Sequence, residues 1–176
     1  LFVKPSRAGS SVGVTKAHTK EEFTAAVNEA HRHDKVALIE SGLSIREIEV
    51  AVLGTPPFHK ATIPGEIHTG DEFYSYDDKY AEASTSSVSI PADLNETKAN
   101  EIQELAKKVY QLLGCSGLAR VDFFLAADGT VYLNEVNTLP GFTNISMYPK
   151  LWEHQGIDGT RLIDLLIEDA LGTRVQ

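Results

Sequence analysis

With 176 residues, 42% of them hydrophobic and 23% charged, the chain can hold one domain, or one domain plus part of another, and is too apolar for a disordered segment. A net charge of −9 disfavours non-specific nucleic-acid binding, and no apolar run approaches the roughly 20 residues of a membrane-spanning helix. Cys115 has no cysteine to pair with, so a cytoplasmic location is expected.

Leu1 to Val3 read as the middle of a β-strand without an initiating Met, and the chain is expected to be a piece of something longer. Lys4-Pro5 closes that strand, and Ser6 to Gly13 form a small-residue loop in which Gly9-Ser10-Ser11-Val12-Gly13 follows a cation. Exposed N–H groups and hydroxyls beside Lys4 suit nucleotide phosphates, although such a loop can equally be a plain connection, and its spacing is not that of a P-loop. Thr19-Lys20-Glu21-Glu22 is a capping box, and Phe23, Ala26, Val27 and Ala30 recur at helical spacing, which predicts a helix over 20–32.

Residues 36–39 and 46–53 read as strands, the second with Ile48, Val50 and Val52 on one face. Short strands are expected around 58–63, and residues 66–86 read as a long loop of the lid or binding type. A helix is expected over 95–113 with Ile102, Leu105, Ala106, Val109, Leu112 and Leu113 inward and Gly114 as its stop. Another is expected near 160–171, ending at Gly172. This mixture of elements predicts an α+β or α/β fold.

Residues 118–125 and 130–136 read as two strands joined at Asp128-Gly129, a favoured two-residue hairpin turn. In that register Asp122 faces Glu135 and Arg120 faces Asn137, with all four side chains on one face. Like charges opposed across a ladder destabilise it unless something binds them. A hard divalent cation is one reason for the arrangement; a solvated face neutralised by Arg120 is the other. A three-residue turn would shift the register and break the opposition. The histidines form no i,i+4 pair of the kind that binds metal, and Cys115 and Trp152 read as packed residues, as does Phe142.

Five blocks occur in order along the chain: 3–13, 46–54, 117–124, 133–143 and 146–152. Together they resemble the D-alanine–D-alanine ligases of the ATP-grasp group over nearly the whole length. The resemblance implies the C-terminal part of an α+β ATP-grasp fold, a mixed or antiparallel sheet flanked by helices. Residues 1–43 would be the remainder of a central subdomain and residues 44–176 a catalytic domain with a lid at 66–86. An N-terminal substrate domain would lie elsewhere, so this piece alone is expected to be inactive. The cofactors implied are ATP and Mg²⁺ or Mn²⁺, as two ions; the partners are ATP and D-alanine, with neither nucleic acid nor membrane, in a homodimeric parent enzyme.

Site roles follow from the same resemblance. Lys4, Ser11 and Lys79 match phosphate-binding residues, Glu40 and Leu43 belong to the hinge that meets adenine, and Glu47 matches the acid that holds the ribose. Asp122, Glu135 and Asn137 match metal ligands. Arg120 and the Gly141 N–H match the groups that stabilise an oxyanion, Ser10 and Tyr80 match members of a hydrogen-bonded trio, and Ser146 matches the binder of the second substrate's carboxylate. Ser41 departs from the lysine or glutamine commoner at its position and is given no side-chain contact. Tyr80 favours D-alanine over D-lactate as second substrate; a D-serine-using relative, a non-catalytic nucleotide-binding module and a metal-dependent phosphohydrolase are the other readings.

Overall fold

A computed structural model describes residues 1–9, 11–68 and 87–172, so Ser10, Lys79, Tyr80 and most of the expected 66–86 lid lie outside the described residues. The described residues fall into two compact units, 1–44 and 45–68 with 87–172.

In the first unit, strands β1 (Phe2–Pro5), β2 (Thr15–Lys16) and β3 (Ala37–Glu40) form an antiparallel sheet in the order β2-β1-β3. Helix α1 (Lys20–His33) packs on it through Ala26 and Ala30, which enclose Val3 and Ala17. The capping box is present as expected: the Glu22 N–H donates to Thr19 Oγ1 at 3.1 Å, while the Thr19 and His18 N–H groups donate back to Glu22 Oε2. At the other end of α1, Asp34 takes a bidentate pair from Arg7, at 2.9 and 3.1 Å, and so ties the entry of the glycine–serine loop to the helix. Gly13, at φ +72°, lies so close to His33 and Pro5 that a Cβ there would meet His33 Cδ2 at 2.6 Å.

The second unit is built on β4 (Ile45–Leu53), β6 (Gly65–His68), β7 (Ser87–Ser89), β8 (Leu118–Ala126) and β9 (Val131–Asn137), ordered β7-β6-β4-β8-β9. The short β5 (Lys60–Ala61) adds to β4, and every pairing among the described residues is antiparallel. The expected loop therefore begins later than residue 66, because Glu66 to His68 pair as strand with β4 and β7.

Period-two alternation gives the sheet two different faces. On one, Ile48, Val50 and Val52 of β4 and Ala119, Val121, Phe123 and Leu125 of β8 meet helix α2 (Glu96–Leu112) through Ile102, Ala106 and Tyr110. Leu112 and Leu113, expected inward, are exposed: the helix turns them past the edge of the sheet just before Gly114, at φ +67°, ends it. On the opposite face Ala51 and Leu53 are covered by α3 (Met147–His154) and α4 (Gly159–Ala170) through Tyr148, Leu151, Trp152 and Leu162. Gly65 makes that approach possible, since a Cβ there would sit 3.0 Å from both Leu151 and Met147. Phe142, expected in the core, is half exposed at the margin of this cluster, tilted against Tyr148.

Candidate active site

The face that α3 and α4 cover at one end carries charged residues at the other. Along β4 the sequence Glu47, Glu49, Ala51, Leu53 changes from acid to apolar on one face, and the register places Glu49 opposite Asp122 and Ala51 opposite Arg120. Asp122 in turn lies opposite Glu135, and Arg120 opposite Asn137. Three neighbouring strands thus align Glu49, Asp122 and Glu135 in one row.

The β8–β9 opposition predicted from the sequence is present, but its turn is not the predicted one. The tip spans Ala127, Asp128 and Gly129 between Ala126 and Thr130, with the Ala126 N–H bonded to the Thr130 carbonyl at 2.9 Å and Gly129 at φ 85°. That is a three-residue connection closed by a left-handed glycine. The resulting one-residue slip carries through Leu125–Val131, Phe124–Tyr132 and Phe123–Leu133. A bulge between Asp122 and Phe123 then takes up Asn134 and restores Asp122 to Glu135.

Arg120 organises the row. Its Nε donates to Asp122 Oδ1 and its Nη2 to Asp122 Oδ2, both at 2.8 Å. The Asn137 amide nitrogen donates to Asp122 Oδ2 at 2.8 Å and to Glu135 Oε1 at 3.2 Å. Glu49 Oε2 lies 3.1 Å from Arg120 Nε, yet it is buried without a hydrogen bond, because that N–H is directed at Asp122.

The electrostatics follow from burial. Desolvation, with the Asp122 charge adding to it, pushes the Glu49 carboxyl up to about 8 against the opposing pull of Arg120. Desolvation also raises Asp122, and its bonds from Arg120 offset that only in part. Burial would lower the Arg120 guanidinium, but the hydrogen bonds and charges of Asp122 and Glu49 outweigh it and hold it above its ordinary value.

Two carboxylates and an amide oxygen suit a hard divalent ion that keeps waters or phosphate oxygens in its remaining positions. Among the described residues no group of three or more His, Cys, Asp or Glu is placed to hold a metal ion by itself. Asn137 presents its amide nitrogen to the carboxylates, and half a turn about its last bond would offer the oxygen instead.

Past β9, Gly141 and Ser146 are also brought together. Ser146 Oγ accepts from the Thr143 N–H at 3.0 Å, and a Cβ on Gly141 would lie 2.7 Å from that oxygen. In the first unit, Lys4 Nζ is held by Glu40 at 2.8 Å, Ser11 sits at φ 61°, and Leu43 is exposed. The Val12 and Val14 N–H groups close turns on the Gly9 and Ser11 carbonyls, so neither is offered outward. Glu47 sits two residues before Glu49 on β4, opposite Phe124. His31, His33, His59 and His68 each have a protein partner.

Glu49 was not among the predicted site residues. Its signal was present: an acid at i+2 from Glu47 in a strand whose other face is apolar must share the face of Glu47.

A family model described as D-ala D-ala ligase C-terminus matches residues 1–168. The chain is 55% identical over 175 residues to D-alanine–D-alanine ligase B of Clostridium tetani, covering 99% of this chain and 48% of that protein. It is 54% identical over 171 residues to the D-alanine–D-alanine ligase of Shouchella clausii, covering 97% and 46%. The chain thus spans about half the length of these relatives. Among solved structures, the D-alanine–D-alanine ligase of Coxiella burnetii superposes with a TM-score of 0.84 at 42% identity, over 97% of this chain and 44% of that one. The VanG D-Ala:D-Ser ligase of Enterococcus faecalis superposes with the same TM-score, 0.84, at 37% identity, over 99% and 49%. The fold is accordingly the α+β ATP-grasp fold of those enzymes. A family match across 1–168, with more than half of all positions shared with named relatives, means that this chain belongs to the D-alanine–D-alanine ligase family, in its C-terminal part.

Proposed function

We propose that the full-length protein carrying this chain joins two D-alanines at the expense of ATP, and that the chain supplies the nucleotide- and metal-binding part. The observation that carries this reading is the row of Asp122, Glu135 and Asn137 around Arg120 at the charged end of the β4–β8–β9 face.

Asp122, Glu135 and Asn137 would hold Mg²⁺ or Mn²⁺, as two ions, and the metal when bound neutralises charge on the phosphates during transfer. Lys4 and Ser11 are assigned to the ATP phosphates together with Lys79. Glu40 and Leu43 are assigned to the adenine and Glu47 to the ribose. The ion pair to Glu40 ties the Lys4 ammonium to the neighbouring strand β3. The carboxylate of the first D-alanine attacks the γ-phosphate and ADP leaves. The amine of the second then attacks the resulting acyl phosphate, and phosphate leaves from the tetrahedral intermediate. Arg120 and the Gly141 N–H are donors for the oxyanion of that intermediate, a role that depends on their being fixed beforehand. Ser146 receives the carboxylate of the second D-alanine, with Ser10 and Tyr80 shaping its pocket. The resemblance to a D-Ala:D-Ser ligase supports D-serine as the alternative second substrate.

A cytoplasmic homodimer is part of the same proposal. Among the described residues no helix is long and apolar enough to cross a membrane.

The test is phosphate release by the full-length protein. It is expected to require both ATP and D-alanine and to yield D-alanyl-D-alanine, and Glu135→Ala is expected to lower the rate by about 100-fold or more, as loss of a charge-stabilising group does. Dipeptide formed at the wild-type rate by Glu135→Ala would remove the metal assignment. Phosphate released without D-alanine would favour a hydrolase.

A further inference from the structure

Glu49 has no part in the roles above, yet it is the most deeply buried acid of the row: its side chain is 7% exposed, against 10% for Asp122 and 20% for Arg120. A buried carboxylate oxygen without a hydrogen bond is costly, and a sheet position opposite Ala, Val or Thr would avoid it. Charge gives the reason for keeping it. The row sets three acids, Glu49, Asp122 and Glu135, against one guanidinium, that of Arg120, and a divalent cation beside them would let all three be ionised together.

In the structure Asp122 serves two demands at once. Both of its oxygens accept from Arg120, and one also accepts from Asn137. A carboxylate that turns its oxygens to a cation withdraws them from the guanidinium. Arg120 would then be a largely buried cation without an acceptor, and the nearest remaining one is Glu49 Oε2, 3.1 Å from Nε.

We propose that Glu49 is a positioning residue: when a divalent ion engages Asp122, the Arg120 guanidinium passes to the free oxygen of Glu49 and so stays on the reacting face. The inference rests on the metal and oxyanion roles proposed above. Without the Glu49 carboxylate, an Arg120 displaced from Asp122 by the ion has no charged acceptor to move to and swings towards solvent, so the donor is misplaced during the chemical step.

The test uses the full-length protein with ¹⁵N-labelled arginine. The Arg120 Nε–H signal, identified by its loss in Arg120→Lys, is followed on addition of Mg²⁺ with the β,γ-imido analogue of ATP. In the wild type the signal is expected to shift and to stay protected from exchange with water. In Glu49→Gln, an isosteric change, it is expected to be protected without Mg²⁺ and lost to exchange once Mg²⁺ is added. Glu49→Asp, which keeps the charge one methylene further back, is expected to show intermediate protection, a reading that holds even if the neutral variant fails to fold. The kinetic counterpart is a kcat in Glu49→Gln about tenfold or more below wild type with KM for ATP within about twofold, since the lost interaction acts in the transition state. A wild-type signal that shifts while Glu49→Gln stays fully protected overturns the hand-over alone. A wild-type signal that ignores Mg²⁺ overturns it together with the metal assignment.

Discussion

Asp34 shows how a single side chain fastens a loop. The residue is buried at the end of α1, and two hydrogen bonds from Arg7 hold its carboxyl far below the usual carboxylate range. A folded value below the unfolded one means that the pair stabilises the fold above the unfolded value, about pH 3.9, and that this contribution drains away as pH falls towards the folded value. Asp34→Asn is therefore expected to melt below wild type at neutral pH, with the gap narrowing once the pH drops under about 4. Thermal scans of both proteins across that range measure it, and a gap constant down to the most acidic point would disprove the linkage. Glu49 was harder to read from the sequence than Asp122 or Glu135. Nothing in a linear chain says which strand lies on the far side of β8, so a two-strand hairpin showed two acids where the three-strand sheet aligns three.

Elements with a strong local code were legible. The capping box and the spacing of Ala26 and Ala30 located α1 to within a residue, and Gly114 marked the end of α2. The hairpin shows how two local deviations can cancel. The tip has one residue more than predicted, and the bulge at Asn134 takes up the difference, so Asp122 and Arg120 kept their expected partners although Phe123 to Leu125 did not. Helix α3 was hidden because it is short and carries Pro149 in its first turn, where the missing N–H costs nothing. Helical periodicity alone also could not show where the sheet under α2 ends, which is why Leu112 and Leu113 were misplaced. The same contrast between local and tertiary stabilisation predicts two mutations of unequal cost. Thr19→Ala removes one end of the capping box and is expected to cost about 1 kcal/mol. Ile102→Ala opens a cavity at a fully buried position of the larger core and is expected to cost about 2–5 kcal/mol. Urea unfolding of the two variants measures both, and an Ile102→Ala cost no greater than that of Thr19→Ala would contradict the packing described here.

At the scale of the whole molecule, likeness of fold does not choose the second substrate. A D-alanine–D-alanine ligase and a D-Ala:D-Ser ligase superpose on this chain equally well, each with a TM-score of 0.84. The difference between their substrates is one hydroxyl, and a pocket that merely lacks a partner for an added hydroxyl rejects it by about 10²-fold at most. Selection must therefore come from a few side chains at the second-substrate site. On the proposed assignment, the described part of that site pairs Gly141 with a Ser146 hydroxyl that accepts from the Thr143 N–H and shares a hydrogen bond with the Thr143 hydroxyl. With the Thr143 hydroxyl as donor, both acceptor positions of Ser146 Oγ would be taken and its O–H left for the substrate carboxylate, with little capacity to reward an extra hydroxyl on the substrate. On the proposed reading, the full-length protein given ATP with equal D-alanine and D-serine is expected to make D-alanyl-D-alanine in at least about tenfold excess over D-alanyl-D-serine, within that bound. Mass spectrometry of the products decides it. A mixture dominated by D-alanyl-D-serine would mean that a group beyond Thr143 and Ser146 binds the added hydroxyl, and would move the chain's assignment to the D-serine-using branch.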